Sequence, residues 1–215
     1  MTHLAVAYEL LERCADIKDK GVFLVGSIAP DAAMFRPGAK REDKAPTHFC
    51  VGDQGWGYYT NYAEWEENLV RNIAAHTGRV DGGFLFGYMA HVYADIENSR
   101  RFWTPARLTN DQKHIDSYLA DCFEADSVLL SEIKHRDEMW EMLGNPGGLF
   151  MPGFVTVEDI GALVRVMKNE WYNESRLPEG WYEANVLTMD MVREYIGHVA
   201  DRMVEYREAF HILKN

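Results

Sequence analysis

Apolar residues recur three or four positions apart through segment after segment of this chain, and no stretch sustains the one-in-two alternation of a half-buried strand. That spacing narrows the fold more than any other feature, because it lines side chains along one stripe of a helix but scatters them over both faces of a strand. Leu4, Ala7, Leu11 and Ala15 predict a first helix that ends at Gly21. Trp65, Leu69 and Ile73 predict a second from about Asn61 to His76, and "DGGFLFGYMAHVYADIENSRRFW" an apolar helix from its Asp-Gly-Gly breaker to about Ser99. Apolar positions from Ile115 to Ile133 predict a long surface helix between Asn110 and Leu143, with room for a bend. Two more, about Val157 to Trp171 and Met189 to Leu213, flank the segment "RLPEGWYEAN". "GSIAPDAAMFRPGAKREDKAPTHF" reads as a turn followed by short helical turns and loop, and "GNPGGLFMPG" as a loop. The expected fold is all-α, a compact multi-helix bundle forming a single domain over residues 1–215, without internal repeats.

With 215 residues, 47% of them hydrophobic, such a domain can bury its own core. Cys14, Cys50 and Cys122 are odd in number, widely spaced and without a C-x-x-C pair, which argues against a disulfide framework or a cysteine zinc site. The first residues lack a basic start, an apolar stretch and a cleavage site, and no apolar run reaches the roughly 20 residues of a membrane span. A cytoplasmic protein is expected. Its net charge of -12 disfavours an extended nucleic-acid surface and an anionic membrane. The charge leaves open a small phosphate ligand, because a bound cation reverses the local field.

Ionisable groups inside apolar stretches are the features that packing alone does not require. His91 and Asp95 stand four apart on the apolar helix, hence on one face, where they form either a buried hydrogen-bonded pair or a chelate. Gly87, one turn earlier on that face, would leave room for an ion. Asp31 follows Pro30 among small and apolar residues and is either a helix cap for Ala33 or Met34 or a free carboxylate. His48 lies between Thr47 and Phe49 after a charged loop, "KREDK", that reads as solvated, and by itself reads as structural sooner than as a ligand; His3, near the start of the first helix, reads by itself as a surface residue. Tyr88 and Tyr93 read as core, and the Trp56, Tyr58, Tyr59 and Tyr62 cluster as either a substrate entrance or core. His76, His135, His198 and His211, on charged helices, read as exposed.

In order, "THLAVA", "FLVGSIAPDAAMFR", "THF" and "FLFGYMAHVYADI" resemble the zinc-dependent phospholipase C family, whose fold is shared with nucleases of the S1 and P1 type. The resemblance covers roughly the first 100 residues. It implies a helical bundle holding zinc ions that hydrolyse phosphoric esters. It implies further that Asp31, His48, His91 and Asp95 hold one ion, and that Asp95 bridges to a second held by His3. Nitrogen and oxygen donors of this mix suit zinc, with manganese or iron as alternatives. Two departures stand out. The secreted enzymes bind the second ion also through a processed amino-terminal tryptophan; here the chain begins Met1-Thr2-His3, so Thr2 would take that place only after loss of Met1. The third-ion ligands lack a clear match: Arg101 stands where a histidine is expected, and His114, Asp121 and Asp126 are the groups to hand. Two ions are therefore expected, and a third only if those groups assemble.

Two divalent cations against Asp31 and Asp95 would leave an excess of about two positive charges, enough for a phosphate dianion. Paired ions polarise phosphoryl oxygens and acidify a bound water, which Asp31 would orient or deprotonate. The expectation is thus a phospholipase C-like phosphodiesterase or phosphatase acting on a small phosphate ester or a phospholipid head group. A non-catalytic helical protein with a degenerate metal site is the second reading. HD-type phosphohydrolases need an adjacent His-Asp dipeptide, which this chain lacks.

Overall fold

The computed structural model describes residues 1–172 and 184–210 of the chain, with the side chain of Phe210 excepted. Among the described residues the regular elements are helices: α1 Thr2–Arg13, α2 Lys20–Ile28, α3 Lys44–Thr47, α4 Tyr62–His76, α5 Gly82–Asn98, α6 Thr104–Leu108, α7 Gln112–Glu132, α8 Arg136–Gly144, α9 Val157–Val166 and α10 Met189–Phe210, joined by short 3₁₀ and π turns and loops. Among the described residues the only extended pairings are two isolated bridges, Thr77 with Val80 and Met151 with Val155. No described helix is long and apolar enough to cross a membrane. Most of "RLPEGWYEAN", and His211, lie outside the described residues.

Short polar side chains start the helices by satisfying amides that have no partner in the first turn. Asp19 accepts from Val22 at the head of α2, Asp81 from Gly83 and Phe84 at α5, and Asp111 from Lys113 at α7. Thr156 and Asp159 form a reciprocal capping box on α9.

α5 is the axis. From Phe84 to Ala94 every residue is buried, and α2, α1, α4 and α10 surround it. Tyr88 and Tyr93 are core residues, as the sequence suggests, and the Tyr88 hydroxyl donates to the Thr47 carbonyl at 2.6 Å.

Three boundaries differ from expectation. The first helix stops at Arg13, and a separate helix, α2, runs from Lys20 through the stretch expected to be a turn. Phe23, Leu24, Val25 and Ser27 are 0–1% exposed, so tertiary burial overrides the small-residue turn signal. The long surface helix is two helices, broken where His135 adopts a left-handed φ of 61°. A π-helical turn, Ser99–Trp103, carries α5 into α6.

Gly87 has a different role from the one its position suggests. A β-carbon there would lie 2.2 Å from the Phe23 carbonyl oxygen and 2.7 Å from the Ser27 amide, while one on Gly26 would lie 2.2 Å from the Phe84 carbonyl. The space it leaves is filled by the backbone of α2. Two facing glycines let the helices cross at backbone contact, and the close approach carries the Ser27 carbonyl to 2.7 Å from His91 Nδ1.

Candidate metal centre

His3, Asp31, His48, His91 and Asp95, scattered over the first 95 residues, converge in the folded chain. His3 comes from α1, His91 and Asp95 from α5, Asp31 from the 3₁₀ turn Ala29–Phe35 that continues α2, and His48 from the end of α3. His48 Nε2 is 3.1 Å from Asp95 Oδ2 and 3.4 Å from Asp31 Oδ1. His91 Nε2 is 3.7 Å from Asp31 Oδ1 and 3.9 Å from Asp95 Oδ2, and His3 Nε2 is 3.4 Å from Asp95 Oδ1. The His3 and His91 rings stack at 3.7 Å between centroids. Two overlapping groups have ligand atoms close enough to share an ion: His3, Asp31 and His91, and His48, His91 and Asp95. Asp31 does not cap a helix; its Oδ1 faces this cluster.

Backbone carbonyls fix how the two buried imidazoles present themselves. His91 Nδ1 faces the Ser27 carbonyl at 2.7 Å and His48 Nδ1 the Lys44 carbonyl at 2.8 Å. A carbonyl only accepts, so each Nδ1 carries its ring proton and each Nε2 presents a lone pair. Those two nitrogens are 3.2 Å apart, with two carboxylates alongside. Buried atoms that only accept cannot satisfy one another, and Asp95 Oδ2 and His3 Nδ1 have no hydrogen-bond partner. Either a second proton on His48 or a metal cation resolves the conflict, so the donor set fits a divalent ion of the zinc class.

The surroundings tune each group. Burial and the neighbouring His91 press His3 down to about pKa 3, so it is neutral at working pH. Burial opposes charge on His48 too, but the Asp31 and Asp95 carboxylates, which would accept a second ring proton on its Nε2, prevail and raise it. Asp31 is held well below the carboxylate range, burial being outweighed by Lys44 and His91; Asp95 is lowered against burial by His3, His48 and Lys44.

Lys44 is the residue that sequence reading assigned to a solvated loop and the fold turns inward. Its Nζ is 2.5 Å from Asp31 Oδ1 and 4.7 Å from the centroid of the Trp56 ring. The signal available was its position one helical turn before His48, which puts both on one face of α3. Trp56 also packs edge-on to His48, and Trp65 Nε1 donates to the His48 carbonyl at 2.6 Å.

The remaining candidates lie elsewhere. Asp126 accepts from the Met1 amino group at 2.9 Å and from the Thr2 amide at 3.0 Å, so Thr2 is held by a carboxylate of α7. Asp121 accepts the amides of Asn185, Val186 and Leu187. Arg101 pairs with Glu97 at 3.1 Å, and His114 joins neither metal-compatible group. Hydrogen bonding thus already engages the two carboxylates proposed for a third ion. His135 is exposed, but His76 and His198 are half-buried: the first faces the Asn72 carbonyl at 2.8 Å, the second Glu97 at 3.4 Å.

A cavity of about 300 Å³ opens beside Asp95, walled by Trp56, Tyr59, Trp65, Trp103 and Tyr118, with Lys44 and Arg41 in its lining. The aromatic cluster therefore divides: Trp56 and Tyr59 face this cavity, Tyr58 is exposed beneath Arg107, and the Tyr62 hydroxyl donates to Thr104 at 2.7 Å. A larger groove of about 860 Å³ runs between α1, α7, α8 and α10, and none of the five cluster residues lines it. Comparison of the chain with protein-family models, curated proteins and solved structures finds no match.

Proposed function

We propose that the protein is a metal-dependent hydrolase of phosphoric esters, with His3, Asp31, His48, His91 and Asp95 as its ligand set. The observation that carries this reading is the pair of carbonyl-oriented imidazoles whose Nε2 atoms stand 3.2 Å apart beside two carboxylates. Such an arrangement serves a cation better than it serves the folded chain alone. The open cavity at Asp95 gives a ligand access to it. Divalent ions bound there would polarise phosphoryl oxygens and make water acidic enough to attack near neutral pH. Asp31, ionised and with its side chain 30% exposed, accepts a hydrogen bond from the attacking water and orients it. The carbonyls of Ser27 and Lys44 keep the two imidazoles in register, and aromatic side chains wall the approach to them.

Zinc would be the first choice of ion from the donor set, with Asp95, whose two oxygens reach His3 and His48, as the carboxylate that would serve two ions. One observation favours a second reading, a non-catalytic protein with a degenerate site: Lys44 already lends Asp31 a positive charge. A proton on His48 would offset the second carboxylate, so it is the two lone-pair Nε2 atoms facing each other, rather than charge balance, that favour the metal. Metal analysis of the purified protein, with turnover of bis-p-nitrophenyl phosphate and p-nitrophenyl phosphate in the presence and absence of chelator, decides between them. Bound metal with chelator-sensitive turnover is expected. Bound metal without turnover selects the degenerate site, and absence of metal overturns both.

A further inference from the structure

The cavity beside Asp95 has a charge at odds with the molecule around it. The chain carries -12 overall, yet the ionic side chains of this lining are Arg41 and Lys44 against Asp95 alone, a balance of two positive to one negative. Lys44 is the inner of the two cations. Its side chain is 20% exposed, its ammonium lies against the Trp56 face, and its counter-ion is Asp31. A buried ammonium needs an anion, and its pairing with Asp31 lasts only while nothing else claims that carboxylate. A metal ion on Asp31 takes the negative charge away and leaves Lys44 facing the cavity without a partner.

Resting on the hydrolase reading above, we infer that Lys44 is the substrate-anion residue of this site. It exchanges Asp31 for a phosphoryl oxygen when metal and substrate are bound, and with Arg41 it selects phosphate monoester dianions whose organic part is uncharged. Both cations face the same space, so a second negative charge on the phosphate is rewarded and a cationic head group is repelled, even though aromatic walls would otherwise suit one. A cavity of about 300 Å³ with five aromatic walls accommodates a flat, apolar leaving group.

Two titrations of the whole protein test this: zinc against a chromophoric chelator, then inorganic phosphate by calorimetry on the zinc-loaded form. In Lys44→Met, zinc affinity is expected to hold or rise, because a competitor for Asp31 is gone, while phosphate affinity falls roughly ten- to hundredfold. Lys44→Arg should keep most of the phosphate affinity. These opposite directions separate a substrate-binding lysine from one that merely props the cluster, whose loss would weaken zinc and phosphate together. The wild-type chain supplies a further arm that needs no variant: phenylphosphonate should bind more tightly than 2-(trimethylammonio)ethylphosphonate. Unchanged phosphate affinity in zinc-loaded Lys44→Met, a joint loss of zinc and phosphate, or preference for the cationic phosphonate overturns the inference. A wild-type protein that takes up no zinc overturns the hydrolase reading itself.

Discussion

His91 is the residue through which the two metal-compatible groups meet: it stacks on His3, faces His48 nitrogen to nitrogen, and is aimed by the Ser27 carbonyl. Asp95 reaches both His3 and His48. Alanine at either position should therefore remove metal from both sites, whereas His3→Ala should lower occupancy by about one ion per chain, read by elemental analysis. Equal or negligible losses at all three would contradict the shared roles. Proton competition gives a second expectation. In the metal-free fold His48 titrates above its usual range, so below that raised value a proton occupies the nitrogen a metal needs. Metal affinity should drop as pH falls through it, by about tenfold per unit, with one proton released on binding; calorimetry in buffers of different ionisation enthalpy measures both. In the absence of metal the sign reverses: the proton on His48 favours the folded state below the ordinary histidine pKa, and that contribution is lost as pH rises through the raised one. His3 acts oppositely. Depressed to about 3 by burial, it has no such effect above its ordinary 6.5 and opposes folding increasingly as pH falls toward 3.

At the scale of elements, the glycines of α2 and α5 set the site more than any ligand does. Gly87→Ala would push a β-carbon into the Phe23 carbonyl and the Ser27 amide, separating the helices that hold Asp31 and His91. We expect a loss of about 1–3 kcal/mol in stability and a weaker metal affinity. Gly144→Ala, at the end of α8 with nothing within 4 Å of its added carbon, should change stability by less than about 0.5 kcal/mol and leave metal binding intact. Chemical denaturation with a parallel metal titration checks both. The short helix α3 shows the same economy: one turn from Lys44 to His48 places an ammonium and an imidazole in the cluster, and the Lys44 carbonyl orients the ring.

Across the whole molecule, a bound ion would tie together α1, the α2 turn, α3 and α5, segments that span residues 2 to 98. Ligand that binds only the folded chain stabilises it by mass action, about 2.7 kcal/mol at a hundredfold excess over Kd. For a chain of this length that corresponds to roughly 5–10 °C in melting temperature, so chelation should lower the midpoint by that amount in a thermal scan. Much of this organisation is legible in the sequence. The three-to-four spacing of Trp65, Leu69 and Ile73, and the capping residues Asp81 and Asn61, mark helices without help from the rest of the chain, because helical hydrogen bonds are local. His91, Asp95 and Asp31 stood out for the same local reason, each being polar among apolar or small neighbours, whereas His3 and His48 entered only through the family resemblance. What lay beyond reach depended on partners distant in the chain: α2 became a helix because α5 covers it, and Gly87 faces a backbone rather than an ion. Asp121 and Asp126 were claimed by amides and an amino group from other segments, and Lys44 turned inward because Asp31 waits there. Local spacing is enough to make the chain all-α, to place most of its helices and to set apart side chains of a type that binds cations. Which of those side chains meet depends on the packing, because burial makes an unpaired charge costly and each charge takes the partner that the fold brings within reach.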